Sequence, residues 1–189
     1  MKKESILIAA VALVVGLLGG YLVFTISTAG KQQATQSIPT GSGSPTDYSR
    51  RITEAEKIVA ADPTNINAWL SLGNDYFDTD QPQKSINAYS KVLELNPNNA
   101  NVLTDQGVMY RKLGWYDKAL ANFEKAQQID PRHLQSLYNL GVVYAIDLKQ
   151  PDKAEEVWRK YLKLDPNSPT AMQVKEMMQS SGSGGWQRK

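Results

Sequence analysis

The sequence predicts an all-α protein, a solenoid of three helix-turn-helix units with a capping helix at each end, preceded by one transmembrane helix. Three observations predict it. An uncharged apolar run of 21 residues lies near the N-terminus. From Gly73 on, glycine and tyrosine recur at a period of 34 residues, and proline follows at steps of 34 and then 35. Inside each period, apolar residues fall at helical spacing around a short polar turn.

The apolar run spans residues 6–26, ILIAAVALVVGLLGGYLVFTI. At helical rise it is about 31 Å long, enough to cross a bilayer's hydrocarbon layer. A helix there satisfies its own backbone amides, as lipid requires. Residues 1–5 form a short N-terminal segment carrying Lys2 and Lys3, and only Lys31 lies close on the other side. The positive-inside rule therefore expects a single-pass protein of a bacterial inner membrane, with the N-terminus in the cytoplasm and the solenoid periplasmic or extracellular. A cleaved signal peptide, cut after Ala29, is the competing reading; its apolar core would usually be about 7–15 residues, and the longer run favours a retained anchor. Ala12, Gly16 and Gly20 form a small-residue stripe suited to close helix pairing, a possible homodimer contact, although such residues are common in membrane helices in any case.

Residues 27–48 are rich in Ser, Thr, Gly, Gln and Pro. So few apolar side chains cannot offset the entropy of ordering, which predicts a disordered linker. A flexible chain of this length spans on the order of 25 Å.

The solenoid is expected over 49–180. Gly73, Gly107 and Gly141 lie 34 apart, and Tyr76, Tyr110 and Tyr144 follow them by three. Trp69, Leu103 and Leu137 precede each glycine by four; Leu72 and Leu140 stand just before it, with Gln106 the exception. Ser85, Ala119 and Ala154 supply a small residue, and Tyr89, Phe123 and Trp158 an aromatic. Val92, Ala126 and Tyr161 come next, before Pro97, Pro131 and Pro166. The third unit's later positions are displaced by one, which predicts an extra residue in its turn within Asp147–Pro151. Asn96, Asp130 and Asp165 each precede a proline, which biases them out of the helical region and ends the second helices. The units fall at about 66–99, 100–133 and 134–168. An N-terminal half-unit at 50–62, with Ile52, Ala55, Ile58 and Val59 on one face, and a C-terminal helix at 169–179 would cover the two ends. Ser168 is placed to cap the latter, with Pro169 in its first position. Residues 181–189 read as a flexible tail whose Trp186 has no assigned role.

This pattern resembles the tetratricopeptide-repeat (TPR) signature, W…LG…Y…A…F…A…P, over about residues 66–168. The resemblance implies a protein or extended peptide held in a concave groove lined by the first helix of each unit. It places Asn67, Leu70, Asn74 and Phe77 there from the first unit, Asn101, Thr104, Val108 and Arg111 from the second, and Gln135, Tyr138 and Val142 from the third. Asn and Gln would bond a peptide backbone, Phe77 and Tyr138 would anchor apolar side chains, and Arg111 would pair with a carboxylate. Binding on the convex face is the alternative. The heat-shock co-chaperone carboxylate clamp is built from lysines, asparagines and an arginine; its lysines and arginine are missing here, and Asn74 alone matches the pattern.

Composition excludes other classes. There is no cysteine, so no disulfide, thiolate metal site or thiol nucleophile. His133 is the single histidine and reads as an exposed linker residue near a helix start, which excludes a multi-histidine metal site. Asp75, Asp78 and Asp80 lack the further ligands and turn glycine of a calcium loop and read as a solvated helix end. Glu155 and Glu156 read as helix surface. No phosphate-binding or dinucleotide motif is present, and a net charge of +2 gives no basic face for nucleic acid. The expectation is a non-enzyme without metal or cofactor: a membrane-anchored adaptor that holds a partner outside the cytoplasm. Two narrower possibilities are a self-associating scaffold and, by likeness to TPR subunits of bacterial cytochrome c biogenesis, a protein presenting apocytochrome.

Overall fold

The computed structural model describes residues 44–183. The apolar run 6–26, its Ala12–Gly16–Gly20 stripe, the position after Ala29, residues 27–43 of the linker and Trp186 lie outside the described residues. Among those described, no helix is long and apolar enough to cross a membrane.

Eight α-helices follow one another: α1 Pro45–Ala61, α2 Ile66–Asp78, α3 Pro82–Leu95, α4 Ala100–Lys112, α5 Tyr116–Ile129, α6 Leu134–Val142, α7 Pro151–Leu164 and α8 Pro169–Ser183. Each packs chiefly on its neighbours in sequence, giving three antiparallel pairs flanked by α1 and α8. Proline takes the first position of α1, α3, α7 and α8, where no helical N–H is needed. Asp62, Asn96, Asp130 and Asp165, each before a proline, are extended at φ −135°, −139°, −132° and −140°, and there each helix stops.

The pairs close on their small residues. Gly73, Gly107 and Gly141 lie against the rings of Tyr89, Phe123 and Trp158, so closely that a Cβ would sit 2.4, 2.5 and 2.0 Å from the nearest ring atom. Those three rings are at most 1% exposed, and each contributes roughly 1.5–3 kcal/mol through burial. Ser85 uses the same closeness differently, its hydroxyl donating to the Gly73 carbonyl at 2.9 Å. Gln106, where its counterparts are leucines, is also buried. Its Nε2 donates to the Ile86 carbonyl and Ser90 Oγ, and its Oε1 accepts from Asn122 Nδ2 at 2.8 Å. A buried amide so satisfied costs little relative to leucine.

Three expectations are corrected. The linker does not extend to residue 48, because α1 opens at Pro45 rather than near 50. Ser44 donates its N–H and Oγ to Asp47 Oδ2, at 3.3 and 3.1 Å, and Tyr48 donates its hydroxyl to Asp78 Oδ2 at 3.2 Å. Residues that read as linker by composition are therefore a helix start, docked on α2. The closing helix likewise continues past 179, to Ser183; Ser168 caps it as expected, accepting from the Ala171 N–H at 3.1 Å.

The third correction concerns the extra residue. The Tyr76 and Tyr110 carbonyls accept from the amides of Gln81 and Trp115, five residues on, whereas the Tyr144 carbonyl accepts from Gln150, six on. The positive-φ residues of the three turns, Asp80, Gly114 and Lys149, show the same step, as do the helix ends at Thr79, Leu113 and Leu148. The insertion thus precedes the turn. It is absorbed by a π-helical stretch, Val143–Asp147, in which the Leu148 amide donates to the Val143 carbonyl at 2.9 Å. One added residue in a helix is accommodated as a π-turn, and the downstream helix keeps its register.

Candidate protein-binding groove

The first helices α2, α4 and α6 are joined to one another in order. Lys112 at the end of α4 pairs with Asp80 just beyond α2. Arg111 on α4 grips Asp147 with Nε at 2.5 Å and Nη2 at 3.3 Å. At the opposite end of the helices, His133 Nε2 lies 2.8 Å from Asn101 Oδ1. These links hold the three helices side by side as one lining.

Of the expected groove residues, Asn67, Asn74, Asn101 and Gln135 are exposed, and Leu70, Phe77, Val108, Arg111 and Tyr138 are half-buried. Two are not available. Thr104 is 0% exposed and its hydroxyl is spent on the Ala100 carbonyl at 2.8 Å, with the His133 ring 3.5 Å away. Val142 is buried in the cluster of Leu137, Trp158 and the α8 residues Ala171 and Val174. The face of a helix that remains open beside neighbours on both sides is narrower than the family pattern suggests. Asn74 Oδ1 accepts from the Tyr89 hydroxyl at 2.9 Å, and Arg111 is occupied by Asp147, so both are held in place from within.

Several residues escaped the sequence reading. Asp75 is fully buried rather than solvated: Arg51 Nη2 donates to its Oδ1, while Oδ2 has no hydrogen-bond partner. Burial raises its carboxyl pKa, only partly opposed by the Arg51 guanidinium. Asp105 is half-buried on α4, and burial, with Asp78 nearby, pushes its carboxyl up to about 6. Nothing in the local sequence singled it out. His133 is not an exposed linker residue; it is half-buried and caps α6. Its position, 34 residues after Asn99, was the signal that could have revealed it. Glu155 and Glu156 lie on the helix surface, paired one turn on with Arg159 and Lys160.

Family profiles described as tetratricopeptide repeat and TPR repeat match residues 66–99, 88–121, 107–145 and 134–168, the full run of three helix pairs. The chain belongs to the tetratricopeptide-repeat family. Comparison with the curated proteins finds no match. Among solved structures, this TPR protein is similar to MamA at 22% identity, with TM-score 0.64, over 72% of this chain and 84% of that one. A tetratricopeptide repeat protein from Parabacteroides merdae aligns at 21% identity, with TM-score 0.65, over 72% of this chain and 54% of its own length. The Arabidopsis OM64 TPR domain aligns at 22%, with TM-score 0.57, over 61% and 94%. These likenesses show the fold. TPR proteins typically mediate protein–protein interaction, and that coarse function extends to this TPR protein.

Proposed function

We propose that this TPR protein is a membrane-anchored adaptor whose groove holds an extended segment of a partner protein outside the cytoplasm, recruiting it into a complex. The observation that carries the groove reading is its composition. Apolar side chains half-open to solvent (Leu70, Phe77, Val108 and Tyr138) alternate with exposed amides (Asn67, Asn74 and Gln135) along helices that are cross-linked to one another. Apolar anchors flanked by backbone-bonding amides suit a peptide better than a small molecule. The anchor and the side of the membrane rest on the apolar run 6–26 and its flanking lysines. Presentation of apocytochrome is one narrower form of the same reading.

The test is photo-crosslinking in cells from a residue installed at Gln135 of the full chain, with mass spectrometry of the captured protein and protease accessibility of the solenoid from outside the cytoplasm. Capture of one specific extracytoplasmic protein, lost on Phe77→Asp, supports the adaptor. Capture of a second copy alone would make the protein a self-associating scaffold. Capture of a specific protein from a convex-face position but not from Gln135 would overturn the groove.

A further inference from the structure

We propose that His133 makes the joint between the second and third repeats sensitive to mild acid, through the cap of α6. The first helix of each repeat is capped at a period of 34 residues: by Asn65, whose Oδ1 accepts from the Ala68 N–H at 3.0 Å; by Asn99, whose Oδ1 accepts from the Val102 N–H at 3.1 Å; and by His133, whose Nδ1 accepts from the Ser136 N–H at 3.3 Å. An amide oxygen accepts at any pH. An imidazole nitrogen accepts only while it carries no proton.

The surroundings fix which nitrogen that is. With Nδ1 facing the Ser136 N–H, the ring hydrogen resides on Nε2 and is donated to Asn101 Oδ1 at 2.8 Å. The neutral Nε2–H form therefore serves both repeats at once, capping α6 and tying it to α4. Protonation adds a hydrogen at Nδ1, turns the acceptor into a donor opposed to the Ser136 N–H, and places positive charge at a helix N-terminus, where the dipole disfavours it. The Nε2–H bond to Asn101 survives, while the Ser136 N–H loses its acceptor on the ring.

The groups around the ring do little to rescue the charged form. From α4 it meets Asn101 and Thr104, and from α6 Ser136, none of which titrates; the Ser136 hydroxyl, 3.1 Å from Nδ1, donates to the His133 carbonyl and already accepts from Gln127, so it offers an added Nδ1 hydrogen only a shared, neutral acceptor. Gln127 of α5 donates to the His133 carbonyl at 2.8 Å and to Ser136 Oγ at 2.5 Å. Asp130, in the junction, favours the imidazolium, and its Oδ1 also accepts the Arg132 N–H at 2.9 Å; burial outweighs it and holds the imidazole below its ordinary value. Linkage then fixes the direction of the effect. A base whose folded pKa is depressed contributes stability that is complete above the unfolded value and is lost as pH falls through the folded one.

The sequence supplies its own control. His133→Asn restores the residue that caps the other two repeats and cannot titrate. In the full chain, kept in detergent and labelled in its single histidine, NMR should find the neutral ring in the Nε2–H form and titrating below the ordinary histidine value. The wild type should lose more Tm than His133→Asn between about pH 7.5 and pH 5. Hydrogen exchange at the Ser136 amide should quicken on acidification in the wild type alone. A ring titrating at or above the ordinary value, an Nδ1–H tautomer, or parallel Tm–pH curves for the two proteins would overturn the proposal.

Discussion

Replacing Gly141 by alanine tests how each helix pair is closed. In an unconstrained helix interior the change would stabilise by about 1 kcal/mol, because alanine is the better helix former. Here the new Cβ would stand 2.0 Å from Trp158 Nε1, 2.3 Å from Cε2 and 2.4 Å from Cδ1. Ordinary carbon contact requires roughly 3.5 Å, so the ring must retreat by about 1.5 Å. Trp158 has no free space to retreat into, being 0% exposed, and its N–H is donated to the Tyr138 carbonyl at 3.2 Å. Overpacking of about 2–3 kcal/mol plus about 1 kcal/mol for the strained hydrogen bond, less the propensity gain, leaves a net loss of about 2–3 kcal/mol. For a domain of this size that lowers Tm by roughly 6–10 °C, read from helical circular dichroism. Gly73→Ala and Gly107→Ala, facing rings at 2.4 and 2.5 Å, should cost less. Trp158→Phe should recover part of the loss in the Gly141→Ala background. A Gly141→Ala protein as stable as the wild type would refute the account of why glycine stands there.

Three further outcomes rest on particular residues. Lys149 holds a left-handed backbone at φ 56° in the position where the second repeat has Gly114, so Lys149→Gly should raise stability by about 0.5–1 kcal/mol in chemical denaturation. Arg51→Met leaves the Asp75 carboxylate buried without its cation; loss of about 3 kcal/mol is expected, together with protease sensitivity of α1, and Asp75→Asn in the same chain should restore part of it. Asp105, with a carboxyl raised from 3.8 to about 6, binds its proton more tightly when folded, so its contribution is complete only below the ordinary carboxyl value and is lost as pH rises through 6. Asp105→Asn should therefore raise Tm at pH 7 by several degrees, an effect of up to about 3 kcal/mol, and change it little at pH 4.

The repeat units were legible because their signals are local and redundant: a glycine forced by an aromatic ring, a proline ending each second helix, and a small residue in each second helix. What was hidden depends on neighbours far along the chain. The sequence register required one inserted residue and pointed to the turn within Asp147–Pro151; the hydrogen bonds of Tyr144 and Leu148 place it earlier, inside a helical stretch. Thr104 and Val142 occupy groove positions by count, yet the ring of His133 and the cluster beneath α8 close them off. The burial of Asp75 comes from Arg51 reaching across from α1, a partner 24 residues away that no helical periodicity announces. Ser44–Tyr48 had the composition of a linker, and their capping contacts are readable only once Asp78 is known to lie beside them.

The inserted residue has a consequence for selectivity. By carrying Asp147 to the end of the π-helical stretch that follows α6, it supplies Arg111 with a carboxylate from the same chain. A partner's acidic group would then have to displace an internal competitor whose effective concentration is far above that of any free ligand, on the order of millimolar or more. In the proposed groove, the arginine placed to greet an acid is thereby withdrawn, which would leave the lining to discriminate by shape and amide bonding.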